Sequence, residues 1–283
     1  MIKRLGIVGS GIMGSGIAEV AAKAGMDVVL RSRQQETADA MLASLEKSLG
    51  KQVERGKLDE QAAKETIARV TAHHDLHALA ECDLVLESVV EDLDVKKDLF
   101  SRLSDVCSDS AILATNTSTL PVVELATVVD EPQRVCGIHF FNPAAAMALV
   151  EIVRPLTASD ETIQAARAFA EACGKSPVEV KDRAGFIVNA LLFPYLNNAV
   201  RMLETGTATR DDIDAAMKGG CKFPMGPLAL LDLVGLDTSL AILDALYDEF
   251  RDPNYAAVPT LRRMVAAGHL GRKSGQGFHD YRK

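Results

Sequence analysis

The chain has 283 residues, 48% apolar and 25% charged, enough for one large or two ordinary domains with a core. Its formal net charge of −8 argues against a general nucleic-acid or anionic-membrane binder, so an anionic ligand must be held by local basic groups. No apolar run approaches the roughly 20 residues of a membrane helix, so no membrane partner is expected.

The opening stretch, Arg4-Leu-Gly-Ile-Val-Gly-Ser-Gly-Ile-Met-Gly-Ser-Gly-Ile-Ala18, organises the rest. Leu5–Val8 reads as a buried strand, and Gly9, Gly11 and Gly14 follow at G-x-G-x-x-G spacing. Ile17–Ala24 is helical in composition and Gly25 stops it. Such a unit binds a dinucleotide. The first glycine permits the turn, the second admits the pyrophosphate, and the third lets helix and strand pack closely. The helix N-terminus supplies unpaired N–H groups and a positive dipole end. Lys3 and Arg4 before an apolar run resemble a secretory signal, but Gly6 to Gly16, then Glu19 and Lys23, interrupt any such core.

Asp27–Arg31 reads as the second strand. Its end carries the residue that reads the ribose, and an acid there bonds the 2′-hydroxyl and repels a 2′-phosphate. The position is held by Ser32, between Arg31 and Arg33. This predicts tolerance of NADP(H), or preference for it. The alternative is ordinary solvent-facing arginines and NAD(H) use. Residues 36–69 read as helical, broken near Gly50 and Gly56, an inserted pair projecting from the sheet. Ser44, Lys47 and Lys51 fall near one helix face, whose default role is solvation. His73, His74 and His77 look like a ligand cluster, but no cysteine or carboxylate pattern completes a metal site. A solvated helix-to-strand connection is expected, and no metal.

Cys82–Val90 reads as a strand ending in Glu87, with Glu91 after it and Lys96-Lys97 in the next helix. Ala111–Thr115 is a strand that ends in Asn116-Thr-Ser-Thr119. That cluster is either a helix cap or a ligand contact at a strand's C-terminal end. Arg134–Pro143 contains a strand with His139 near its end, and Ala148–Val153 is the next, with Glu151 inside it. A lone histidine or glutamate in an apolar run is usually structural. Two on neighbouring strands invite pairing, with Glu151 orienting the His139 ring and stabilising its protonated form.

Glu161–Cys173 is a helix stopped by Gly174, and Pro177–Lys181 a last short strand. Beyond Gly185 no strand pattern is clear. Helices are expected over Phe186–Glu204, from a Thr209-x-x-Asp212 capping box to Met217, from Pro227 to Gly235, and on to about Phe250. The fold class is α/β: a Rossmann-type doubly wound sheet with an inserted helical pair over 1–184, then a smaller all-α domain over 185–283. Asn189 either sits satisfied in the core or faces the domain cleft. The cysteines, Cys82, Cys107, Cys136, Cys173 and Cys221, are scattered without a C-x-x-C pair, which fits reduced thiols in a cytoplasmic protein.

Together these residues resemble the L-3-hydroxyacyl-CoA dehydrogenase family, near its short-chain 3-hydroxybutyryl-CoA members. The resemblance runs from Ile2 to Tyr281. It is carried by Val8–Ile17, Ala114-Thr-Asn-Thr-Ser118, Gly137-Ile-His-Phe-Phe-Asn-Pro143 and Leu149-Val-Glu-Ile152. Gly185-Phe-Ile-Val-Asn189, Phe223-Pro-Met-Gly-Pro227 and Lys273-Ser-Gly-Gln-Gly-Phe278 complete it. The resemblance implies His139 as catalytic base and Glu151 as its partner, with Ser118 and Asn189 positioning the 3-oxygen of the substrate. Gly9, Gly11, Ile12, Met13 and Gly14, with Ser32, Arg33, Glu91, Lys96 and Asn116, would lie on the cofactor, and Ser44 and Lys51 on the CoA portion. It further implies a homodimer formed through the all-α domain, and an acyl-CoA substrate of S configuration. Family members usually carry aspartate where this chain has Ser32, which bears on the choice between NAD(H) and NADP(H) and not on the reaction.

The expected reaction is reversible hydride transfer between C3 of a 3-hydroxyacyl thioester and a nicotinamide, with His139 exchanging the hydroxyl proton. A dehydrogenase of free 3-hydroxy acids, which would rest on a lysine, is one alternative. A dinucleotide-sensing protein without turnover is another, and it would need no His139–Glu151 pair.

Overall fold

The structure, a computed structural model, describes residues 2–282. The chain divides after Asp182 into two compact units.

In the first unit, β1 (Arg4–Val8) is buried from Leu5 to Val8, as a strand covered on both faces must be. The turn after it leads into α1 (Ile12–Lys23), and β2 (Asp27–Arg31) returns parallel to β1. α2 (Gln35–Glu54) and α3 (Glu60–Ala68) follow, then β3 (Val70–His73) pairs with β2. The structure departs from the sequence expectation at two points in this region. Gly50 does not break α2, because Met41, Leu45 and Leu49 bury the inner face and offset its cost of about 1 kcal/mol. Only Gly56, at φ 64°, ends the helical run. And residues 70–73 form a strand, so His73 is a strand residue and the connection expected there is confined to His74 onward.

From β3 the chain crosses back over β1 to β4 (Leu84–Glu87). α4 (Leu93–Val106), β5 (Ile112–Thr115), α5 (Val122–Ala126) and β6 (Val135–Phe140) continue the parallel sheet outward. β7 (Leu149–Arg154) turns back antiparallel to β6; α6 (Asp160–Ala172) then leads to β8 (Ser176–Lys181), parallel to β7 at the edge. The eight strands lie in the order β3-β2-β1-β4-β5-β6-β7-β8. The direction of progression reverses between β1 and β4, which makes their carboxyl ends the topological switch point where such sheets bind ligands.

Alternation sorts the strand residues between faces. Leu5, Ile7, Leu84, Leu86, Ile138 and Ile152 join one buried cluster with Ile17 of α1, Leu45 of α2 and Phe169 of α6. Burial of each such side chain stabilises the fold by about 1.5–3 kcal/mol. The intervening residues point the other way, and on β6 a Cβ at Gly137 would stand 2.7 Å from Val153 of β7 and 3.3 Å from Val122 of α5, so the position has no room for one. His139 shares that face with Gly137, two residues earlier on the same strand.

The second unit is helical: α7 (Val188–Glu204), α8 (Arg210–Cys221), α9 (Pro227–Val234), α10 (Leu236–Phe250) and α11 (Pro259–Ala266). Phe193, Leu196, Leu228, Leu231, Leu243 and Leu261 form its core. Pro194 is tolerated inside α7 because its neighbours Phe193 and Leu196 are core residues. Thr209 caps α8 as expected, accepting from the Asp212 N–H, but the helix runs on to Cys221 instead of stopping at Met217. It ends where Lys222 turns left-handed, at φ 56°. α11 had no sequence signal strong enough to announce it.

Two buried aspartates fasten this unit. Asp214 accepts from the first free N–H groups of α9, on Leu228 and Ala229, and lies 2.9 Å from His279 Nε2. Asp232 accepts from the N–H groups of Phe278 and His279 and from the Tyr281 hydroxyl. A Cβ on Gly226 would stand 2.3 Å from Asp214, and one on Gly277 1.9 Å from Asp232, which accounts for both glycines.

Candidate active site

The turn after β1 sits at the switch point. Gly9 has φ +130°, and a Cβ there would lie 2.2 Å from the Ser88 carbonyl at the end of β4. A Cβ on Gly14 would lie 2.5 Å from the Gly9 carbonyl, so α1 packs against its own turn. A Cβ on Gly11 would meet nothing within 4 Å, leaving an open approach to the backbone at the helix N-terminus. No side chain caps α1, so its first N–H groups remain for a ligand.

A cavity of about 600 Å³ begins at Gly9 and Gly11 and runs between Val90, Val95 and Leu99 on one side and Arg31 to Arg33 on the other. Apolar walls suit an adenine ring, and the bare glycine turn suits a pyrophosphate. The residues present therefore fit a dinucleotide. Ser32 is buried and its N–H donates to the His73 carbonyl at 3.1 Å; Arg33 is exposed. Arg31 is oriented by a 3.1 Å bond from Nε to the His74 carbonyl. Ile12 is 78% exposed beside the turn, while Met13 packs against the core.

A second cavity, about 370 Å³, shares Ser10 and Gly11 with the first and is lined by Ser15, Met41 and Ser44. Lys51 is exposed further along α2 and does not line it. Under this cavity Glu19 binds Lys23 (2.7 Å), Gln52 (2.8 Å) and Ser48 (2.9 Å), tying α1 to α2. Burial raises the Glu19 pKa, but these bonds outweigh it and hold the carboxyl below its ordinary value.

The titratable pair lies on β6 and β7. His139 and Glu151 are directly opposed in the antiparallel register, and Nδ1 stands 2.8 Å from Oε2. Both are buried, at 4% and 0% exposure. An ionised carboxylate only accepts, so Nδ1 carries the proton and Nε2 of the neutral ring is the basic nitrogen. The Ser118 hydroxyl lies 3.2 Å from that Nε2, and the Phe141 ring sits 4.5 Å from the imidazole.

The loop after β5 that carries Ser118 is held at several points. Glu91 accepts from the Thr117 hydroxyl at 2.5 Å and the Ser118 N–H at 2.9 Å. Lys96 sits at 3.1 Å from Glu91 and 2.6 Å from Glu87. Glu87, fully buried, also accepts from Thr115 and the Val89 N–H, each at 2.6 Å. Asn116 accepts from the Phe140 N–H at 2.8 Å and so fixes the loop to β6. The structure thus gathers His139, Glu151, Ser118, Glu91, Lys96 and Asn116 at adjacent strand ends. Asn189 is a buried residue in the first turn of α7, in the second unit. The sequence marks Thr117 only as one of the Asn116–Thr119 cluster and Glu87 only as a strand end, and gives neither the supporting role that they and Thr115 have here. The signal for Glu87 was available: an acid closing a wholly apolar strand needs a cation, and Lys96 is the next basic residue.

Comparison with known proteins identifies the family. The family model described as "3-hydroxyacyl-CoA dehydrogenase, NAD binding domain" matches residues 4–183, and the "3-hydroxyacyl-CoA dehydrogenase, C-terminal domain" matches residues 185–281. A 3-hydroxybutyryl-CoA dehydrogenase of Mycobacterium tuberculosis is 46% identical over 282 residues, covering 99% of each chain. The mitochondrial hydroxyacyl-coenzyme A dehydrogenase of Homo sapiens is 38% identical, covering 100% of this chain and 92% of its own. The crystal structure of (S)-3-hydroxybutyryl-CoA dehydrogenase from Ralstonia eutropha superposes with a TM-score of 0.97 at 40% identity, over 100% of both chains. The fold and the glycine turn define an NAD-dependent oxidoreductase with a Rossmann-type sheet. The chain belongs to the 3-hydroxyacyl-CoA dehydrogenase family, whose reaction is NAD-dependent oxidation of a 3-hydroxyacyl-CoA.

Proposed function

We propose that the protein interconverts (S)-3-hydroxybutyryl-CoA and acetoacetyl-CoA, with His139 as general acid and base. The observation that carries this reading is the Glu151–His139–Ser118 alignment, at 2.8 Å and 3.2 Å on the two ring nitrogens. A nicotinamide cofactor held at the Gly9–Gly14 turn would supply the hydride acceptor. In oxidation Nε2 of His139 takes the hydroxyl proton as the hydride departs from C3; in reduction the imidazolium returns it. Glu151 keeps the ring in the tautomer that leaves Nε2 basic and stabilises the imidazolium. Ser118 donates to the 3-oxygen as charge develops on it. The family resemblance gives Asn189 the same duty. Glu91 and Lys96 serve the site by fixing the Ser118 backbone. Ser44 and Lys51 are assigned to the CoA portion by the same resemblance, Ser44 with the support of the cavity it lines.

Ser32, in place of the acid that repels a 2′-phosphate, supports use of NADP(H) besides NAD(H), with Arg33 exposed beside it. Leu191 and Phe223, at 72% and 43% exposure, support a homodimer formed through the helical unit. The scattered cysteines, odd in number and without a C-x-x-C pair, support a cytoplasmic setting.

A lysine-based dehydrogenase of free acids would leave the His139–Glu151 pair without a task. The separating experiment compares reduction of acetoacetyl-CoA with that of acetoacetate, each with NADH and NADPH. Turnover of the thioester alone is expected. Equal turnover of the free acid, or none of either, would overturn the proposal.

A further inference from the structure

The cavity beside the glycine turn gathers positive charge from two separate elements. Arg31 and Arg33 flank Ser32 at the end of β2, and Arg102 stands on the wall formed by α4. Arg31 and Arg102 also border a neighbouring cavity of about 490 Å³, so the two guanidiniums share the partition between the cavities. Their proximity is felt electrostatically. Burial first, then the fields of Arg102 and Arg33, lower the Arg31 pKa, against an opposing effect of Asp75.

Two of the acids nearby are already engaged, and a third, Asp105, borders the neighbouring cavity. Asp98 pairs with Arg102 at 3.7 Å, and both are exposed, so the pair is weak and easily exchanged for a better anion. Asp75 turns to His77, accepting from its N–H at 3.0 Å. A site with three guanidiniums and a neutral hydroxyl at the ribose-reading position is short of negative charge. Guanidinium groups are suited to phosphate oxygens through charge-assisted, often bidentate bonds.

We infer that Arg102, on a different βα unit from Ser32, is a specificity-determining residue that holds the 2′-phosphate of NADP(H) jointly with Arg33. The inference rests on the Ser32 reading above and extends it to α4. Arg31 braces this group: its Nε is committed to the His74 carbonyl, which leaves its terminal nitrogens for the cavity.

The test uses the full chain and two probes without a nicotinamide, 2′,5′-ADP and 5′-AMP, titrated calorimetrically. The wild type is expected to bind 2′,5′-ADP more tightly. Arg102→Ala and Arg102→Gln should each weaken 2′,5′-ADP about tenfold, the loss of one charge-assisted contact, and leave 5′-AMP within about twofold. Unchanged 5′-AMP binding also certifies the fold. Equal wild-type affinity for the two probes would overturn the NADP(H) reading and this inference with it. A wild-type preference that both variants keep, or equal weakening of both probes, would overturn the role of Arg102 alone.

Discussion

His139 and Glu151 face one another across the antiparallel pairing of β6 with β7, the only one in the sheet among the described residues, each the other's register partner. Side chains opposed in this way share a face and come within reach without any loop to position them. The pair is therefore set by backbone hydrogen bonding, at 2.8 Å, in a buried and rigid place. Had β7 continued the parallel order, the residue beside His139 would have been chosen by a distant crossover connection.

Glu151→Gln tests what the carboxylate contributes beyond position. The amide keeps the shape but can hold the ring in the wrong tautomer and cannot offset an imidazolium charge. The maximal rate of acetoacetyl-CoA reduction should fall by about 10²–10⁴, with cofactor affinity retained. Stopped-flow turnover beside a fluorescence titration of NADH reads both.

Ser118→Ala removes a donor to the 3-oxygen while leaving the loop pinned through the Ser118 N–H. A loss of about 10²–10³ in kcat is expected, with little change in melting temperature. A large stability loss with intact turnover would assign Ser118 to structure.

Lys96→Met leaves the Glu87 carboxylate buried without its cation. Breaking such a pair typically costs about 3–5 kcal/mol, and the double variant Glu87→Gln/Lys96→Met should recover part of it. Urea denaturation of the single and double variants measures the coupling.

Glu19 predicts an acid-labile clasp between α1 and α2. Its folded pKa lies below the ordinary value of 4.5, so its contribution is present above that value and disappears as pH falls through the folded pKa. The stability difference between wild type and Glu19→Gln should be constant above about pH 6 and shrink steadily below about pH 5. Melting curves between neutral pH and pH 3 follow it. A difference that grows on acidification would reverse the sign of the argument.

The glycine turn and the alternation of strands and helices were legible because each rests on local rules: positive φ at Gly9, apolar runs at β1, β4 and β6, stops at Gly174 and Gly206. His139 and Glu151 stood out as polar residues inside apolar strands. Their one-to-one register did not, since register depends on how a long connection closes. β3 escaped notice because Val-Thr-Ala-His is too short to show a period. Gly50 misled because propensity was weighed without the three leucine-sized side chains that α2 buries around it. Nothing in the sequence marks Arg102, because only the sheet brings α4 opposite Ser32. Asn189 could be marked from its motif, but no local pattern says what a buried asparagine serves.

Whether His139 moves the proton is read from the His139→Gln variant. Glutamine preserves hydrogen-bonding capacity at the position but has no basic nitrogen. With acetoacetyl-CoA and NADH, kcat should fall at least about 10²-fold while the NADH dissociation constant stays within about twofold. Turnover at the wild-type rate in a folded His139→Gln enzyme would contradict the account.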